Sequence, residues 1–387
     1  MSQIKKIELY YVEIPLAKTL SPAWYRGYQQ NSERMTLLRL TTDDGHEGIS
    51  AVACMGEEWS GIGAWLNELF LGCDVQDSQF IQRKIKESAF VGCPIGWVEA
   101  AFWDLLGKIE QKPVYALLSS SGEVVENIPV YASTLENLSV EERLESFKEI
   151  TKAGFQGAKL RATGDFSIDL QMIEEVRGLV GDEFALMIDA NQGRRIWKGK
   201  KEPKLWKLAQ AMDFAVAAAP FRIEWLEEPL DMHAYDDLSV LRGESEIPIA
   251  GGQLNAGWHE FKLFIEKRSL DFYQPNALAG GGVSCVQQLM DAIMRRDNLY
   301  FTPNSGSTGI SFLINLHMYA AWSRRFFYEC PFEPGKYTLE QMNTLFSEPV
   351  ELLGDGTVKV PQTPGFGIHL DQARFEKYAK LWYTSPS

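Results

Sequence analysis

The residues of this 387-residue chain best placed to do chemistry are Asp189, Glu227 and Gln253. Each closes a short apolar run, at 185–191, 223–227 and 247–253. A carboxylate at the end of a buried strand is costly unless a metal, a cation or water receives it. Two carboxylates and an amide on three consecutive strands can converge on one point, and such oxygen donors suit Mg²⁺ before Zn²⁺. Alternation along 223–227 sets residues 223, 225 and 227 on one face, so Glu227, and not its neighbours Glu224 and Glu228, turns inward. Lys159-Leu160-Arg161 puts two cations on one strand face. Their repulsion is expected to lower the Lys159 pKa towards use as a base. Arg161 stays protonated and suits a clamp or an orienting role.

Those residues need strands to hold them. Eight apolar runs follow residue 126, at 130–133, 157–161, 185–191, 223–227, 247–253, 271–276, 300–304 and 326–330. Each is separated from the next by about one βα unit, which predicts a parallel (β/α) barrel. Active sites of such barrels gather at the carboxyl ends of the strands. Here those ends carry Lys159, Arg161, Asp189, Asn191, Glu227, Gln253, Asn276, Asn304 and Glu329. Ahead of the barrel, 3–14 reads as a strand, and 35–42 with 46–54 as a hairpin across Asp43-Asp44-Gly45. Helical spacing runs from about 61 to 118. After the barrel, 350–353 and 358–360 read as a strand pair and 371–382 as a helix. The barrel, 126–345, is thus expected as an insertion between the two parts of a cap, 1–125 and 346–387. The aromatic loop holding Trp24, Tyr25, Arg26 and Tyr28 is a candidate lid over the mouth.

Composition narrows the partners. A net charge of -14 argues against nucleic acid or an anionic membrane. No run of about 18 apolar residues is present, so no membrane span is expected. Residues 1–16 lack the apolar core of a signal peptide. The five cysteines are scattered, as suits reduced thiols in a cytoplasm. No histidine sits on a strand end; His317 and His259 read as structural, and His233, beside the mouth, is the one candidate. Gly280-Gly281-Gly282 lacks phosphate-loop spacing and reads as a tight turn into a helix.

As a set, several motifs resemble the enolase superfamily, in its mandelate racemase and muconate-lactonizing branch. They are Thr42-Asp43-Asp44-Gly45, Lys159-Leu160-Arg161, Ile188-Asp189-Ala190-Asn191, Trp225-Leu226-Glu227-Glu228-Pro229, Pro248-Ile249-Ala250-Gly251-Gly252-Gln253, Gln274-Pro275-Asn276 and Thr302-Pro303-Asn304-Ser305. The resemblance covers essentially the whole chain. It implies an α/β fold, a (β/α)7β modified TIM barrel with an α+β capping domain built from the N-terminal part and the C-terminal tail. It also implies a homo-oligomer, with Mg²⁺ held by Asp189, Glu227 and the position of Gln253. Glu329 matches the glutamate that hydrogen-bonds the substrate carboxylate or its enediolate. Three positions depart from the pattern. The third metal ligand, usually acidic, is Gln253. The Asp and His of the racemase dyad are Asn276 and Asn304, and the sixth-strand lysine of the lactonizing branch is also Asn276. Amides take no proton near neutral pH, so a base acts from one side only.

The expected activity is therefore that of a Mg²⁺-dependent lyase, an acid-sugar dehydratase taking a small carboxylate substrate. Lys159 would be the base, oriented by Arg161. The acid would come from Tyr25, Tyr28 or Lys159 itself, and Asn191, Asn276 and Asn304 would contact substrate. A one-base isomerase or cycloisomerase, a racemase-like protein, and a non-catalytic carboxylate-binding or regulatory protein are the alternatives.

Overall fold

A 17-residue strand opens the fold: β1 (Ile4–Leu20), joined antiparallel to β2 (Gln30–Thr42), which pairs with β3 (Glu47–Ala53). The computed structural model describes residues 2–119, 121–193 and 205–386. Leu9, Val12, Leu38 and Ala51 of this sheet are buried, and helices Gly63–Phe70, Ser78–Phe90 and Glu99–Ile109 follow it. The expected hairpin is present, with its turn at Asp43-Asp44-Gly45 and Gly45 at φ +90°.

Eight parallel strands then alternate with helices: β4 (Asn127–Ser133), β5 (Gly157–Arg161), β6 (Ala185–Asp189), β7 (Ile223–Glu227), β8 (Ile249–Gly251), β9 (Phe272–Tyr273), β10 (Tyr300–Phe301) and β11 (Tyr328–Pro331). Each lies on one of the eight apolar runs. The spatial order is β10-β9-β8-β7-β6-β5-β4-β11. Between the two end strands, Thr302 Oγ1 donates to the Phe327 carbonyl at 2.7 Å. The first crossover shows why these segments are helical: Ser139 and Glu142 form a reciprocal capping box that starts Val140–Lys152. Inside the curled sheet Tyr131, Met187, Trp225 and Phe272 pack together. The Trp225 ring lies 5.4 Å from that of Tyr131 and 5.0 Å from that of Phe272. This apolar layer is the floor on which the polar strand ends stand.

The tail differs from expectation. Its helix is only Gln372–Tyr378, and residues 379–384 form a further strand, β13 (Ala379–Thr384), antiparallel to β1. The free edge of β1 presents unpaired backbone groups. The aromatic and β-branched run Trp382-Tyr383-Thr384 suits a strand, and Trp382 stacks on Tyr11 at 5.1 Å. Of the expected 350–353 and 358–360 pair, one bridge survives, Leu352 to Val358. Instead β12 (Thr357–Lys359) adds antiparallel to β4. The tail thus serves both the barrel and the cap.

Cap and barrel are also tied by buried polar contacts. Glu99 accepts from the Ser284 backbone N–H at 3.1 Å and from its hydroxyl. Gly282, at φ +104°, caps helix Val283–Met294 as the expected tight turn; a Cβ there would lie 2.3 Å from Glu99 Oε2. No helix among the described residues is long and apolar enough to cross a membrane.

Candidate functional site

Register alone brings three of the candidates level. Arg161 of β5 pairs with Asp189 of β6, and Asp189 with Glu227 of β7. Lys159 rises from one pleat below. Its ammonium reaches both oxygens of Glu227 at 2.7 Å, Glu329 Oε1 at 3.1 Å and Asp189 Oδ2 at 4.0 Å. It also sits 5.5 Å from the Tyr131 ring centroid, against the apolar floor. Arg161 binds Asp189 through Nη1, the Thr134 carbonyl through Nε at 2.6 Å and Ser133 Oγ through Nη2 at 3.0 Å. Its guanidinium stacks 5.3 Å from the Trp24 ring. Three carboxylates and two cations therefore share one buried cluster.

The partners of the carboxylates all donate. Glu227 accepts from Lys159, from Gln274 Nε2 at 2.8 Å and from Trp225 Nε1 at 3.2 Å. Glu329 accepts from Ser133 Oγ at 2.7 Å, Asn304 Nδ2 at 2.7 Å and the Ser305 N–H at 3.0 Å. Burial pushes Glu227 up to about 7, against the opposing charge of Lys159. Burial would raise Glu329, but Lys159, Arg161, Ser133 and Ser305 outweigh it and hold its pKa down at about 2. Burial would likewise strip the proton from Lys159, but Glu227 and Glu329 outweigh it and raise its pKa. This corrects the expectation of a lysine loosened by its arginine neighbour: the arginine's charge is answered by Asp189, and Lys159 answers the other two carboxylates.

Above this cluster opens a cavity of about 400 Å³, lined by Arg161, Asn191, Gln253, Asn276, Asn304 and Glu329 from the barrel and by Leu20, Trp24, Gln30 and Val52 from the cap. Six of the eleven expected site residues thus face one space, with Lys159, Asp189 and Glu227 beneath it. Asn191 adopts φ +51°, a left-handed conformation that asparagine tolerates, and its Oδ1 is buried without a partner. Asn276 Nδ2 donates to the Asn304 carbonyl at 3.1 Å, so the amides that replace the dyad are in contact.

Tyr25 and Tyr28 stack on each other at 4.9 Å and are not among the residues lining the cavity, where Trp24 and Gln30 stand. Between them, Arg26 Nη2 donates to the Thr163 carbonyl at 2.6 Å. His233 is exposed, with Nε2 3.5 Å from Glu260, and takes no part in the lining. His317 is structural as expected, buried and accepting the Tyr115 N–H at Nδ1. Gln274 and Ser133 are site residues that sequence reasoning missed. Gln274 directly follows β9, two residues before Asn276, and Ser133 closes the first run.

The donor set fits a hard divalent ion by its chemistry. Asp189, Glu227 and Gln253 offer oxygens from three consecutive strand ends, and the unpartnered Asn191 Oδ1 faces the same space. Among the described residues no cluster of three acidic, histidine or cysteine ligands forms, since the third position is an amide.

Comparison with known proteins agrees with this geometry. A model of the family described as "Enolase C-terminal domain-like" matches residues 142–374. The L-talarate/galactarate dehydratase of Salmonella typhimurium is 26% identical over 387 residues, spanning 96% of this chain and 90% of that one. The 3,6-anhydro-alpha-L-galactonate cycloisomerase of Streptomyces coelicolor is 26% identical, spanning 98% and 99%. The L-talarate dehydratase of Polaromonas sp. JS666, solved with Mg and L-glucarate, superposes with a TM-score of 0.81 at 21% identity, covering 100% and 99%. That last likeness establishes the shared fold.

Proposed function

The chain belongs to the enolase C-terminal domain-like family, and from that premise we propose that it is a Mg²⁺-dependent lyase that removes water from an acid sugar. The observation that carries the reading is the stack of a lysine–arginine–carboxylate cluster beneath a cavity walled with amides. Such walls match a polyhydroxy carboxylate, which needs a cation for its acid group and paired donors and acceptors for its hydroxyls.

Asp189, Glu227 and Gln253 would hold the ion. A divalent ion held there would supply positive charge to the developing negative charge on the substrate carboxylate and would lower the Lys159 pKa. Arg161, permanently charged and lining the cavity, clamps the substrate carboxylate. Lys159, once neutral, accepts the proton α to that carboxylate. Glu329, fully ionised, accepts a hydrogen bond from the substrate, and Asn191, Asn276 and Asn304 fix its hydroxyls. Because Asn276 and Asn304 bind each other and hold no transferable proton, removal proceeds from one face. One-face chemistry favours elimination over racemisation. It also suits a cycloisomerase, the second reading, since the Streptomyces coelicolor relative is one. A cytoplasmic location and a homo-oligomeric state, testable by sedimentation, belong to the same proposal.

The test is an acid-sugar library in deuterated water with millimolar Mg²⁺, followed for α-proton exchange and for 2-keto acid. Exchange with loss of water from at least one member is expected. Exchange without loss of water would favour the isomerase, and no exchange with any member would leave a carboxylate-binding protein.

A further inference from the structure

A second pair of titratable groups, outside the Lys159 cluster, joins the cap to the segment after β11. Glu33, near the start of β2, is buried, and Tyr337, in the segment after β11, lines the cavity. Tyr337 Oη lies 3.0 Å from Glu33 Oε2 and 2.9 Å from the Ser307 carbonyl oxygen. A phenol has one hydrogen, and a carbonyl oxygen can only accept. Both contacts are hydrogen bonds at once only when the Tyr337 hydrogen points to Ser307. The contact with Glu33 is then a hydrogen bond only if Glu33 carries a hydrogen and donates it to Tyr337 Oη. An ionised Glu33 would set unshielded lone pairs against each other at hydrogen-bond distance in a buried place.

The surroundings agree. Charged side chains near Glu33 are committed elsewhere. Arg34, its neighbour on β2, donates to Glu13 of β1 at 2.9 Å. Lys336, beside Tyr337, binds Glu136, and Glu333 is held by Arg143 at 2.8 Å. Burial without a cation pushes Glu33 up to about 8. Burial keeps the Tyr337 proton in place, well above the ordinary tyrosine range. The cavity thus has the ionised Glu329 with Lys159 and Arg161 on one side, and Tyr337, backed by the neutral acid Glu33, in its lining. Titratable groups pushed apart in this way mark the two sides of acid–base chemistry.

We propose that Glu33 is a neutral carboxylic acid at neutral pH, and that Tyr337 passes its proton to the hydroxyl that leaves the substrate. The proposal deepens the dehydratase reading and rests on it. As the α-proton departs, its electron pair forms the carbon–carbon double bond and the adjacent C–O bond breaks with its pair. The Tyr337 hydrogen turns from the Ser307 carbonyl to the leaving oxygen, Tyr337 Oη takes the hydrogen of Glu33, and Glu33 is left as carboxylate. Water departs, and Glu33 recovers a proton from solvent. No oxidant or reductant enters.

Two measurements on the full chain test it. Carbon-13 NMR of protein labelled at the glutamate side-chain carboxyls should show, at about pH 7, one resonance at the position of a protonated acid, absent from the Glu33→Gln variant. The amide introduced by Glu33→Gln keeps a donor towards Tyr337, so the fold is retained; Tyr337→Phe is the second variant. With a substrate that wild type dehydrates, both variants should lose about 100-fold or more in elimination while α-proton exchange with solvent continues. A Glu33 resonance in the ionised position overturns the proposal, as does undiminished elimination in both variants. If wild type eliminates water from no acid sugar, the dehydratase reading and the transfer fall together. The NMR result decides separately whether Glu33 holds the proton.

Discussion

Lys159 is the residue whose role changes most between sequence and structure. Its place at a strand end, beside Arg161, is legible in the string Lys159-Leu160-Arg161. Its partners are not, because Glu329 lies 170 residues away and only the curl of the sheet brings it to 3.1 Å. Asp189 and Glu227 are easier, since each ends a strand in its own apolar run and the two strands are neighbours. Breaking a buried ion pair by removing one partner leaves the other charge uncompensated, at about 3–5 kcal/mol. Lys159→Met should therefore lower unfolding stability in urea by about that amount, besides abolishing α-proton exchange. Unchanged stability would mean that the cluster is not ion-paired. Gln253 makes the complementary prediction. Gln253→Glu restores a charge to the donor set, and calorimetry should show Mg²⁺ binding about tenfold tighter or more, on the scale of one added charge near a surface. Equal affinities would remove Gln253 from the proposed metal set.

At the scale of elements, the eight barrel runs are readable because buried parallel strands are continuous apolar stretches separated by amphipathic helices. The tail is not, because residues 379–384 become a strand only where β1 offers them an edge. Helix Gly309–Ala320 supplies a pH prediction. Its His317 is fully buried, and burial lowers its pKa to about 3 from an ordinary 6.5, against the opposing contact with Phe366. Between about pH 6.5 and about 3 the unfolded chain binds a proton on this ring and the folded chain does not. Stability from this group is thus present at neutral pH and lost as pH falls through that window. His317→Gln keeps an acceptor for the Tyr115 N–H but cannot titrate. Its urea midpoint should fall less than that of wild type between about pH 7 and about pH 4.5; parallel losses would exclude His317. Gly282 tests the contact between cap and barrel. Gly282→Ala strains a positive φ and drives Cβ into Glu99, at about 1–3 kcal/mol, read as a lowered melting temperature.

At the scale of the molecule, the cavity belongs to neither part alone. Its floor is set by strand ends of the barrel, and its roof by Leu20, Trp24, Gln30 and Val52 of the cap. Strand-end chemistry follows from fold class and is readable in advance. The roof depends on how the cap seats on the barrel, so the aromatic loop points to Tyr25 and Tyr28 where the structure places Trp24 and Gln30. Truncation before Ala379 should uncover the edge of β1, and the shortened protein should scatter light on mild warming where the full chain does not. The pairing of β1 with β13 also reaches into how the protein is made. At ~5–20 residues per second on the ribosome, β1 emerges roughly 20–70 s before its outer partner exists. Through that interval the barrel can close strand by strand while the cap sheet stays one strand short.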